Sequence, residues 1–361
     1  MSVLHVVDFD DIFRRMSESV PTLSAKEQLK RALSNVPGLE EVEILIQSKF
    51  TSDAPALTAI SSYLFTLGGK RVRPLLALMT GKLFGLSPAP AALVEVAAGI
   101  ELIHMATLLH DDIIDKSALR RHSASPFAKY GTNPTLLAGD FLLTRAFSLC
   151  AHLDRYIIDA TERACVELTE GEILETGLHE QEHSVETMLT IALKKTASLF
   201  RLACESGAHL AGLPATATEL MGEFGETLGI SFQILDDVLD VVADESLLGK
   251  PSGTDLRERK PSAVNLAWLQ SGAPLSKQLL SSPGTPAEED SFVAGALLEL
   301  RTPGHVAVKE ARALALRYAA KAESALQRAA AAAGADAGIS IDQHTLQQLQ
   351  TLVTYTVTRV G

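Results

Sequence analysis

Hydrophobic residues recur with a helical period along nearly the whole chain, and this pattern limits the fold more than any other feature. In residues 91–115, apolar side chains recur three, four and seven positions apart, as on one face of an α-helix. No run of strict apolar and polar alternation bounded by turn residues interrupts this pattern. Alanine and leucine, both strong helix formers, outnumber β-branched residues. The sequence predicts an all-α fold, a single large helical bundle.

Composition and charge exclude several classes of protein. The 361 residues are 47% hydrophobic, which is enough for a large core. Lys and Arg number 32 against 44 Asp and Glu, so no broad basic surface for nucleic acid is expected. The three cysteines, Cys150, Cys165 and Cys204, are too few and too widely spaced for a disulfide framework or a zinc site. They favour a reducing compartment.

The chain shows no recognisable targeting or membrane segment. Three aspartates within residues 1–15 are atypical of a secretory signal or a transit peptide. The most apolar stretches, 89–109 and 134–151, each contain charged residues, so neither is a clean span of about 20 apolar residues. We therefore expect a cytoplasmic protein with no integral membrane segment.

The domain organisation follows from two shifts in composition. Residues 1–35 are polar and weakly periodic, which predicts an N-terminal arm. The rest, 36–361, is expected to form one domain. Within it, 271–288 is rich in Ser, Pro and Gly and predicts a surface loop.

Two aspartate-rich motifs are the central chemical feature: 111–115 is DDIID and 236–240 is DDVLD. On a helix, the first and last aspartates of each motif lie on one side, where like charges repel and a purely structural helix gains nothing. Both motifs follow apolar segments, 101–110 and 229–235, whose burial brings the carboxylates to the edge of a cavity. Such oxygens suit Mg²⁺, which is commonly completed by substrate phosphates. The predicted metal ligands are Asp111, Asp112, Asp115, Asp236, Asp237 and Asp240.

A basic segment and several single residues supply candidate anion contacts. Residues 68–74, GGKRVRP, combine two glycines that allow close backbone approach with three cations, but lack the spacing of a P-loop. Taken alone, this segment is equally consistent with a basic turn before a helix. Taken alone, the pair at 120–121 is more typical of a helix C-terminus than of a ligand site. His104, Thr196 and Gln233 are, by themselves, more typical of core or ordinary helix residues.

Taken together, these segments resemble the trans-isoprenyl diphosphate synthases, the chain-elongating prenyltransferases. The matching pieces occur in the family's order and cover about 40–360. They are GGKRVRP at 68–74, ELIHMATLLHDDIID at 101–115, LRR at 119–121, LAGDFLLTRAF at 137–147, KTASLF at 195–200, GISFQILDDVLD at 229–240 and LGKPSGTDL at 248–256.

The resemblance implies a fold, two substrates and a set of residue roles. The fold would be an all-α bundle of the isoprenoid synthase type around a deep central cavity, as a homodimer. The substrates would be isopentenyl diphosphate and an allylic diphosphate. The implied catalytic set is Asp111, Asp112, Asp115, Asp236, Asp237 and Lys195, with Mg²⁺ held by the aspartates. The implied contacts to the allylic substrate are Arg120, Lys195, Thr196, Gln233, Lys250 and Lys260. Those to isopentenyl diphosphate are Lys70, Arg73, His104 and Arg121.

The implied reaction is governed by charge. Metal ions and cationic side chains stabilise the departing diphosphate, an allylic carbocation forms, C4 of isopentenyl diphosphate attacks it, and a proton is lost. No protein nucleophile is needed, since positioning and electrostatic stabilisation supply the catalysis. An apolar cavity below the polar mouth keeps water away from the cation.

Two segments depart from the family's pattern. Where the family usually has Gly after the arginine pair, this chain has His122. In the segment resembling G-K-x-T-L-P, the chain has RKPSAV at 259–264. The second departure leaves the role of Lys260 open, but neither changes an aspartate.

Product length follows from the residues just before the first motif. Thr107 and Ala106 precede Asp111 by one helical turn or slightly more, at 1.5 Å per residue. In the family, bulky aromatics at these positions stop growth at short products. Small side chains here predict an open floor and a product longer than C20, with a geranylgeranyl-length product as the alternative.

Two other functions use similar elements. A class I terpene cyclase also needs an Asp-rich Mg²⁺ motif in a helical cavity, but it needs no second diphosphate pocket. A noncatalytic subunit of a heteromeric synthase resembles the enzymes, but such subunits lose Asp motifs or basic anchors. The complete GGKRVRP segment and both Asp motifs favour the catalytic synthase over either alternative.

Overall fold

A computed structural model describes residues 36–176, 184–243, 251–281 and 284–358. The predicted N-terminal arm, 1–35, and the candidate contact Lys250 lie outside these ranges.

The all-α prediction is confirmed, because helices form almost all of the regular structure in the described ranges. From residue 36 onward, the described helices up to residue 176 are α1 (Leu39–Ser48), α2 (Pro55–Thr66), α3 (Val72–Leu83), α4 (Ala91–Ile114), α5 (Pro126–Tyr130), α6 (Thr132–Cys150) and α7 (Arg155–Thr176). A π-helix (Ala192–Ala197) follows α8 (Val185–Ile191) and leads directly into α9 (Ser198–Leu210). The remaining elements are α10 (Ala215–Val242), α11 (Thr254–Arg257), α12 (Ala263–Gln270), a 3₁₀ helix (Leu275–Leu280), α13 (Pro286–Leu300), α14 (Val306–Ala337) and α15 (Gln343–Thr358).

Two long helices organise the core. α4 packs mainly against α6 and also contacts α3 and α9, and α10 packs mainly against α14 and α9. Both helices are apolar over most of their length, and each ends in one of the aspartate motifs. Burial of the apolar segments therefore carries both motifs to the ends of core helices, as the sequence pattern predicts.

α4 is also long and apolar enough to cross a membrane by length and composition, and within the described ranges it is the one helix that meets this test. Two thirds of its most apolar window is buried inside the bundle, which is typical of a core helix.

In the described part of 271–288, which is predicted to be a surface loop, most residues are exposed and part of the stretch is helical. A 3₁₀ helix forms at Leu275–Leu280, and α13 begins at Pro286. Ser276 and Leu279 are buried in this stretch. Leu279 packs into the apolar cluster around α10 and α12. This burial stabilises the fold, but a composition rich in Ser and Pro does not predict it.

A short hairpin between α4 and α5 is a feature that helical periodicity does not predict. Strands Leu119–Arg120 and Ser123–Ala124 pair antiparallel, with Leu119 opposite Ala124. The two turn residues, Arg121 and His122, have φ values of 52° and 66°. A two-residue hairpin turn of this kind requires positive φ at both positions, which favours glycine. His122 therefore adopts a strained backbone conformation. It is the residue that replaces the Gly expected from the family resemblance.

We predict that His122→Gly stabilises the protein by about 0.5–1 kcal/mol. A left-handed conformation costs a residue with a Cβ about 1–2 kcal/mol, and the larger unfolded-state entropy of glycine offsets about 0.5–1 kcal/mol of the relief. The measurement is the midpoint of urea unfolding at constant m-value. His122→Ala is the control, because it removes the imidazole and keeps the strain. An equal gain from both variants would show that the side chain, and not the backbone, is responsible.

Candidate active site

The chemistry-bearing residues of the sequence converge on one central cavity of about 1150 Å³. It lies between α3, α4, α6, α7, the π-helix, α9 and α10. Its polar lining residues include Lys70, Arg71, Arg73, Glu101, His104, His110, Asp111, Arg121, Glu172, Lys195, Thr196, Gln233 and Asp236. The wall formed by α6 and α7 is mainly apolar, with Leu143, Phe147, Cys165, Leu168 and Thr169 facing the cavity. A charged region thus lies beside an apolar one.

The first aspartate of each motif lines this cavity. Asp111 comes from the last turn of α4, and Asp236 comes from the corresponding end of α10. Burial raises the pKa of Asp111 to about 7, and the attraction of Lys195 opposes this shift. Within the described residues, no hydrogen bond or ion pair holds the Asp111 side chain. A desolvated carboxylate in this position is suited to a cation.

The other aspartates of the motifs are held by protein groups. Asp112 is fully buried and accepts hydrogen bonds from Arg120, with Nη2 to Oδ1 at 2.6 Å and Nε to Oδ2 at 3.1 Å. The backbone amide of Asp255 donates to Asp240 at 3.0 Å. Asp115 lies just past the end of α4, 3.8 Å from Lys260 Nζ. These three side chains do not line the cavity.

Asp237 belongs to a short polar chain beneath Asp236. The Gln233 side-chain amide donates to Asp237 Oδ1 at 3.0 Å, and the Ala263 backbone amide donates to Oδ2 at 2.9 Å. Thr196 in turn donates to Gln233 Oε1 at 2.6 Å. Burial raises the pKa of Asp237, and these donors oppose the shift. Thr196 and Gln233, each unremarkable by itself in the sequence, are therefore linked to the second motif.

Two lysines meet carboxylates from α7 at the edge of the cavity. Lys195 Nζ lies 2.6 Å from Glu172 and 2.5 Å from Glu175. Lys260 Nζ lies 2.8 Å from Glu258 and 3.7 Å from Glu175. Burial opposes the charge of Lys195, but the carboxylates outweigh it and raise its pKa. Glu175 therefore joins the π-helix to the segment that precedes α12.

The basic residues form a second group on α3, α4 and the hairpin. Arg73 is partly buried, with its guanidinium carbon 5.1 Å from the centre of the Phe200 ring. Burial lowers the pKa of His104 well below its usual value, and the nearby arginines lower it further, so its imidazole is neutral. Lys70 and Arg121 line the same part of the cavity. This arrangement concentrates positive charge where the GGKRVRP segment enters α3.

Arg71 has a different role from its neighbours in the basic segment. Its guanidinium contacts Glu101 at 3.0 Å and Glu43 at 3.3 Å, and it adopts a φ of 50°. Glu101 is almost fully buried on α4. The ion pair therefore fixes the turn that presents Lys70 and Arg73 to the cavity.

The π-helix that carries Lys195 and Thr196 is held closely on two sides by glycines. A Cβ on Gly171 of α7 would lie 2.7 Å from the Lys195 backbone nitrogen. A Cβ on Gly229 of α10 would lie 2.7 Å from Ala197 Cα. Only glycine permits such approach, and π-helical turns are frequent at functional sites.

The structure thus brings together most of the predicted site residues but not all of them. Those that line the cavity are Lys70, Arg73, His104, Asp111, Arg121, Lys195, Thr196, Gln233 and Asp236. Those nearby but outside its lining are Asp112, Asp115, Arg120, Asp237, Asp240 and Lys260. The carboxylates that sequence reasoning missed are Glu101, Glu172 and Glu175. In a single sequence, glutamates that line a cavity cannot be distinguished from glutamates on the solvent-exposed face of an amphipathic helix.

The floor prediction needs one correction. Thr107 lines the cavity, but Ala106 is fully buried in the core and is not among the lining residues. A one-residue step on a helix rotates the side chain by about 100°, and here that rotation turns Ala106 into the core while Thr107 faces the cavity.

Magnesium fits the donors present. Among the residues that the structure describes, no group of three or more His, Cys, Asp or Glu side chains is placed to hold a metal ion by itself. Asp111 and Asp236 nevertheless offer carboxylate oxygens to one cavity that also contains cationic side chains. Mg²⁺ retains waters and takes substrate phosphates as ligands, so it needs no complete protein cage.

Comparison with known proteins decides the family. Residues 54–297 match the model of the polyprenyl synthetase family. The chain belongs to that family. The nonaprenyl diphosphate synthase of Mycobacterium tuberculosis is 33% identical over 326 residues, which cover 90% of this chain and 93% of that protein. The geranylgeranyl diphosphate synthase of Sulfolobus acidocaldarius is 35% identical over 64% of this chain and 72% of its own length.

The fold of a polyprenyl synthetase is confirmed by a solved structure. A polyprenyl synthase from Caulobacter crescentus, crystallised with calcium and isoprenyl diphosphate, superimposes with a TM-score of 0.81 at 30% identity. The match covers 95% of this chain and all of that one. The resemblance to trans-isoprenyl diphosphate synthases is therefore confirmed, and the chain is a prenyltransferase of the all-α isoprenoid synthase fold.

We predict that Gly171→Ala destabilises the protein by about 1–3 kcal/mol, because the new methyl group overlaps the backbone of the π-helix. The matched control is Gly334→Ala in α14, where an added Cβ meets no atom within 4 Å. That variant is expected to gain about 0.5–1 kcal/mol from lower unfolded-state entropy. Urea unfolding measures both. A Gly171→Ala variant as stable as the control would contradict the close approach.

Proposed function

We propose that this prenyltransferase condenses isopentenyl diphosphate with an allylic diphosphate, in a Mg²⁺-dependent reaction, to give an all-trans polyprenyl diphosphate longer than C20. One observation carries the proposal. The first aspartates of both motifs, Asp111 and Asp236, line the same cavity as the basic residues Lys70 and Arg73, and the remaining wall is apolar. Two anionic head groups and one long hydrocarbon chain match these three regions.

The proposed residue roles follow the charges. Asp111 and Asp236, with the other aspartates of their motifs, hold Mg²⁺ against the allylic diphosphate. When bound, Mg²⁺ would act as a Lewis acid that neutralises negative charge on the phosphate oxygens. Lys195 and Lys260 donate to the same diphosphate, after exchanging their contacts with Glu175 for contacts with phosphate oxygens. Lys250 remains a predicted contact.

The second diphosphate is assigned to the basic group. Lys70, Arg73 and Arg121 supply charge-assisted donors for isopentenyl diphosphate, and such donors are the strongest available for phosphate. His104, neutral because of burial and the surrounding arginines, can donate one further hydrogen bond without adding charge. Arg120 is bound to Asp112, so it acts on the allylic side through that carboxylate.

The apolar wall suits the chemistry of the carbon centres. Departure of the allylic diphosphate leaves a carbocation that water would capture. Leu143, Leu168 and Phe232 surround the space next to the charged region with side chains that neither donate nor accept protons. The residues that bind the diphosphates therefore position two substrates in a volume from which bulk water is excluded.

Product length above C20 is the finer part of the proposal. Thr107 is small, and the cavity continues past it to α6 and α7. Relatives with similar identity include nonaprenyl and octaprenyl diphosphate synthases as well as a geranylgeranyl diphosphate synthase. A geranylgeranyl-length product is the alternative, and chromatography of dephosphorylated products separates the two.

A homodimer in the cytoplasm completes the proposal. Outside the central cavity, large apolar side chains are exposed along α6 and α7 at Leu136, Leu137, Val166 and Leu174. An exposed apolar set of this size is typical of an interface, and a self-complementary twofold contact is the commonest solution. Light scattering after gel filtration tests it.

The purified chain alone is the test of function. It is incubated with farnesyl diphosphate, with and without isopentenyl diphosphate, in Mg²⁺. The proposal expects elongated prenyl diphosphates that require both substrates. Hydrocarbon or alcohol formed from the allylic substrate alone would indicate a terpene cyclase. Activity that appears only on adding a partner subunit would indicate the noncatalytic alternative.

We predict that Asp111→Ala and Asp236→Ala each lower kcat by orders of magnitude. Each tenfold loss corresponds to about 1.4 kcal/mol, and one metal contact is worth several kcal/mol. Removal of divalent metal with EDTA is expected to abolish turnover of the wild type, and Mg²⁺ to restore it. Asp53→Ala, at an exposed turn, is the control. Full activity of either cavity variant would contradict the assignment.

We predict that Lys70→Ala and Arg73→Ala raise the KM for isopentenyl diphosphate more than the KM for the allylic substrate. Loss of one charge-assisted contact typically costs about 1.5–3 kcal/mol. Steady-state kinetics with each substrate varied in turn measures the difference. Lys277→Ala, an exposed lysine of the 3₁₀ helix, is the control. Equal changes in both KM values would contradict two separate diphosphate sites.

A further inference from the structure

Arg259 is the first residue of the segment that departs from the family's pattern, and its side chain is buried. Its backbone has a φ of 56°, a left-handed conformation that glycine adopts readily and other residues rarely adopt. The guanidinium contacts the Glu289 carboxylate at 2.8 Å and lies 4.5 Å from the centre of the Phe292 ring. Both partners belong to α13, and Glu289 is also buried. An arginine anchored on α13 therefore occupies the position where the family's pattern has glycine.

The same guanidinium also closes the turn from which it projects. Arg259 Nη1 donates to the backbone carbonyl of Leu256 at 2.8 Å, and the Arg259 backbone amide donates to that carbonyl at 3.3 Å. The next peptide groups are bonded as well. The Lys260 backbone amide donates to the Asp255 carbonyl at 3.0 Å, and the Asn265 side-chain amide donates to the Lys260 carbonyl at 2.9 Å. The backbone at Lys260 is thus tied to both sides of its own loop.

Both ends of this loop are attached to the second aspartate motif. The backbone amide of Asp255 donates to Asp240 at 3.0 Å, and that of Ala263 donates to Asp237 at 2.9 Å. Between these two attachments the chain turns away from the motif and packs on α13 through Arg259. The loop is therefore fixed at its ends by the motif and in its middle by the arginine.

The Lys260 side chain extends from this loop toward the first aspartate motif. Its Nζ lies 3.8 Å from Asp115, which follows α4. It also lies 2.8 Å from Glu258 and 3.7 Å from Glu175 of α7. A lysine has a flexible four-carbon stem and a single charged point, so the place that its ammonium group reaches depends on how firmly its backbone is held. A misplacement of about 1 Å can cost a catalytic site a factor of about one hundred.

We propose that Arg259 is a positioning residue for the prenyltransferase reaction, because its contacts with Glu289 and Phe292 fix the backbone from which Lys260 reaches the allylic diphosphate. The inference rests on the proposed function, which assigns that contact to Lys260. A glycine at this position would adopt the same φ but could also leave it. The buried arginine holds the turn in one conformation. The departure from the family's pattern thus supplies a different anchor and preserves the role of Lys260.

The test measures kcat and both KM values of Arg259→Gly and Glu289→Gln. Arg259→Gly keeps a residue suited to the positive φ and removes the anchor. It is expected to raise the KM for farnesyl diphosphate about tenfold and to leave the KM for isopentenyl diphosphate within about twofold of wild type. Glu289→Gln keeps the shape of the anchor and removes its charge. It is expected to raise the same KM, and it gives the reading if Arg259→Gly does not fold.

A double variant separates positioning from a general loss of stability. Lys260→Met removes the ammonium group, so an anchor that acts through Lys260 has nothing left to position. In that background, Arg259→Gly is expected to change the KM for farnesyl diphosphate by less than about twofold. The matched control is Arg257→Ala, which breaks an exposed 2.9 Å ion pair between the same loop and Asp290 of α13. It is expected to keep the wild-type kinetic constants.

The outcomes separate this inference from the proposed function. Wild-type protein that incorporates no labelled isopentenyl diphosphate overturns the function itself. Wild-type activity with an unchanged KM for farnesyl diphosphate in Arg259→Gly and Glu289→Gln overturns the positioning role alone. An equal rise in both KM values, or a rise of full size in the Lys260→Met background, also overturns it, since a purely structural residue has these effects. A rise for farnesyl diphosphate alone that disappears in that background supports it.

Discussion

Burial of like charges beside an apolar core is the interaction on which the rest of this structure depends. Carboxylates at the ends of α4 and α10 lose solvent because the helices that carry them are core helices. Burial raises the pKa of Asp111 to about 7, a sign that the protein alone does not fully stabilise its charge. In the proposed function, the remaining stabilisation comes from Mg²⁺, which the diphosphate of the substrate helps to hold.

The surrounding framework places lysines and arginines at fixed distances from these carboxylates. Gly171 and Gly229 let α7 and α10 press on the π-helix, which turns Lys195 toward the cavity and toward Glu175. Glu175 also lies near Lys260. One carboxylate therefore links α7, the π-helix and the segment before α12 at the edge of the cavity. A diphosphate that replaces this acid would keep both lysines in place. In the proposed function, the free protein therefore already holds these two lysines close together, at the place where the diphosphate would bind.

Sequence patterns predict the features that depend on local spacing. The Asp motifs follow apolar segments of helical period, so periodicity alone predicts that they lie at the ends of buried helices. The two glycines of GGKRVRP likewise predict a turn at that segment. Contacts between distant segments leave no such pattern. Nothing in the sequence pairs Glu175 with Lys195 and Lys260, and nothing distinguishes Thr107, which faces the cavity, from Ala106, which does not. The buried Leu279 shows the same limit, because its burial depends on α10 and α12 far away in sequence.

Coupling between metal and diphosphate is the central claim, and calorimetric titration of the wild-type protein with inorganic diphosphate, with and without Mg²⁺, tests it most directly. The account predicts that Mg²⁺ tightens diphosphate binding at least tenfold, or about 1.4 kcal/mol of coupling, and that this gain disappears in Asp111→Ala. Equal affinity in the presence and absence of Mg²⁺ would contradict a composite site, and would leave the buried carboxylates without the role assigned to them.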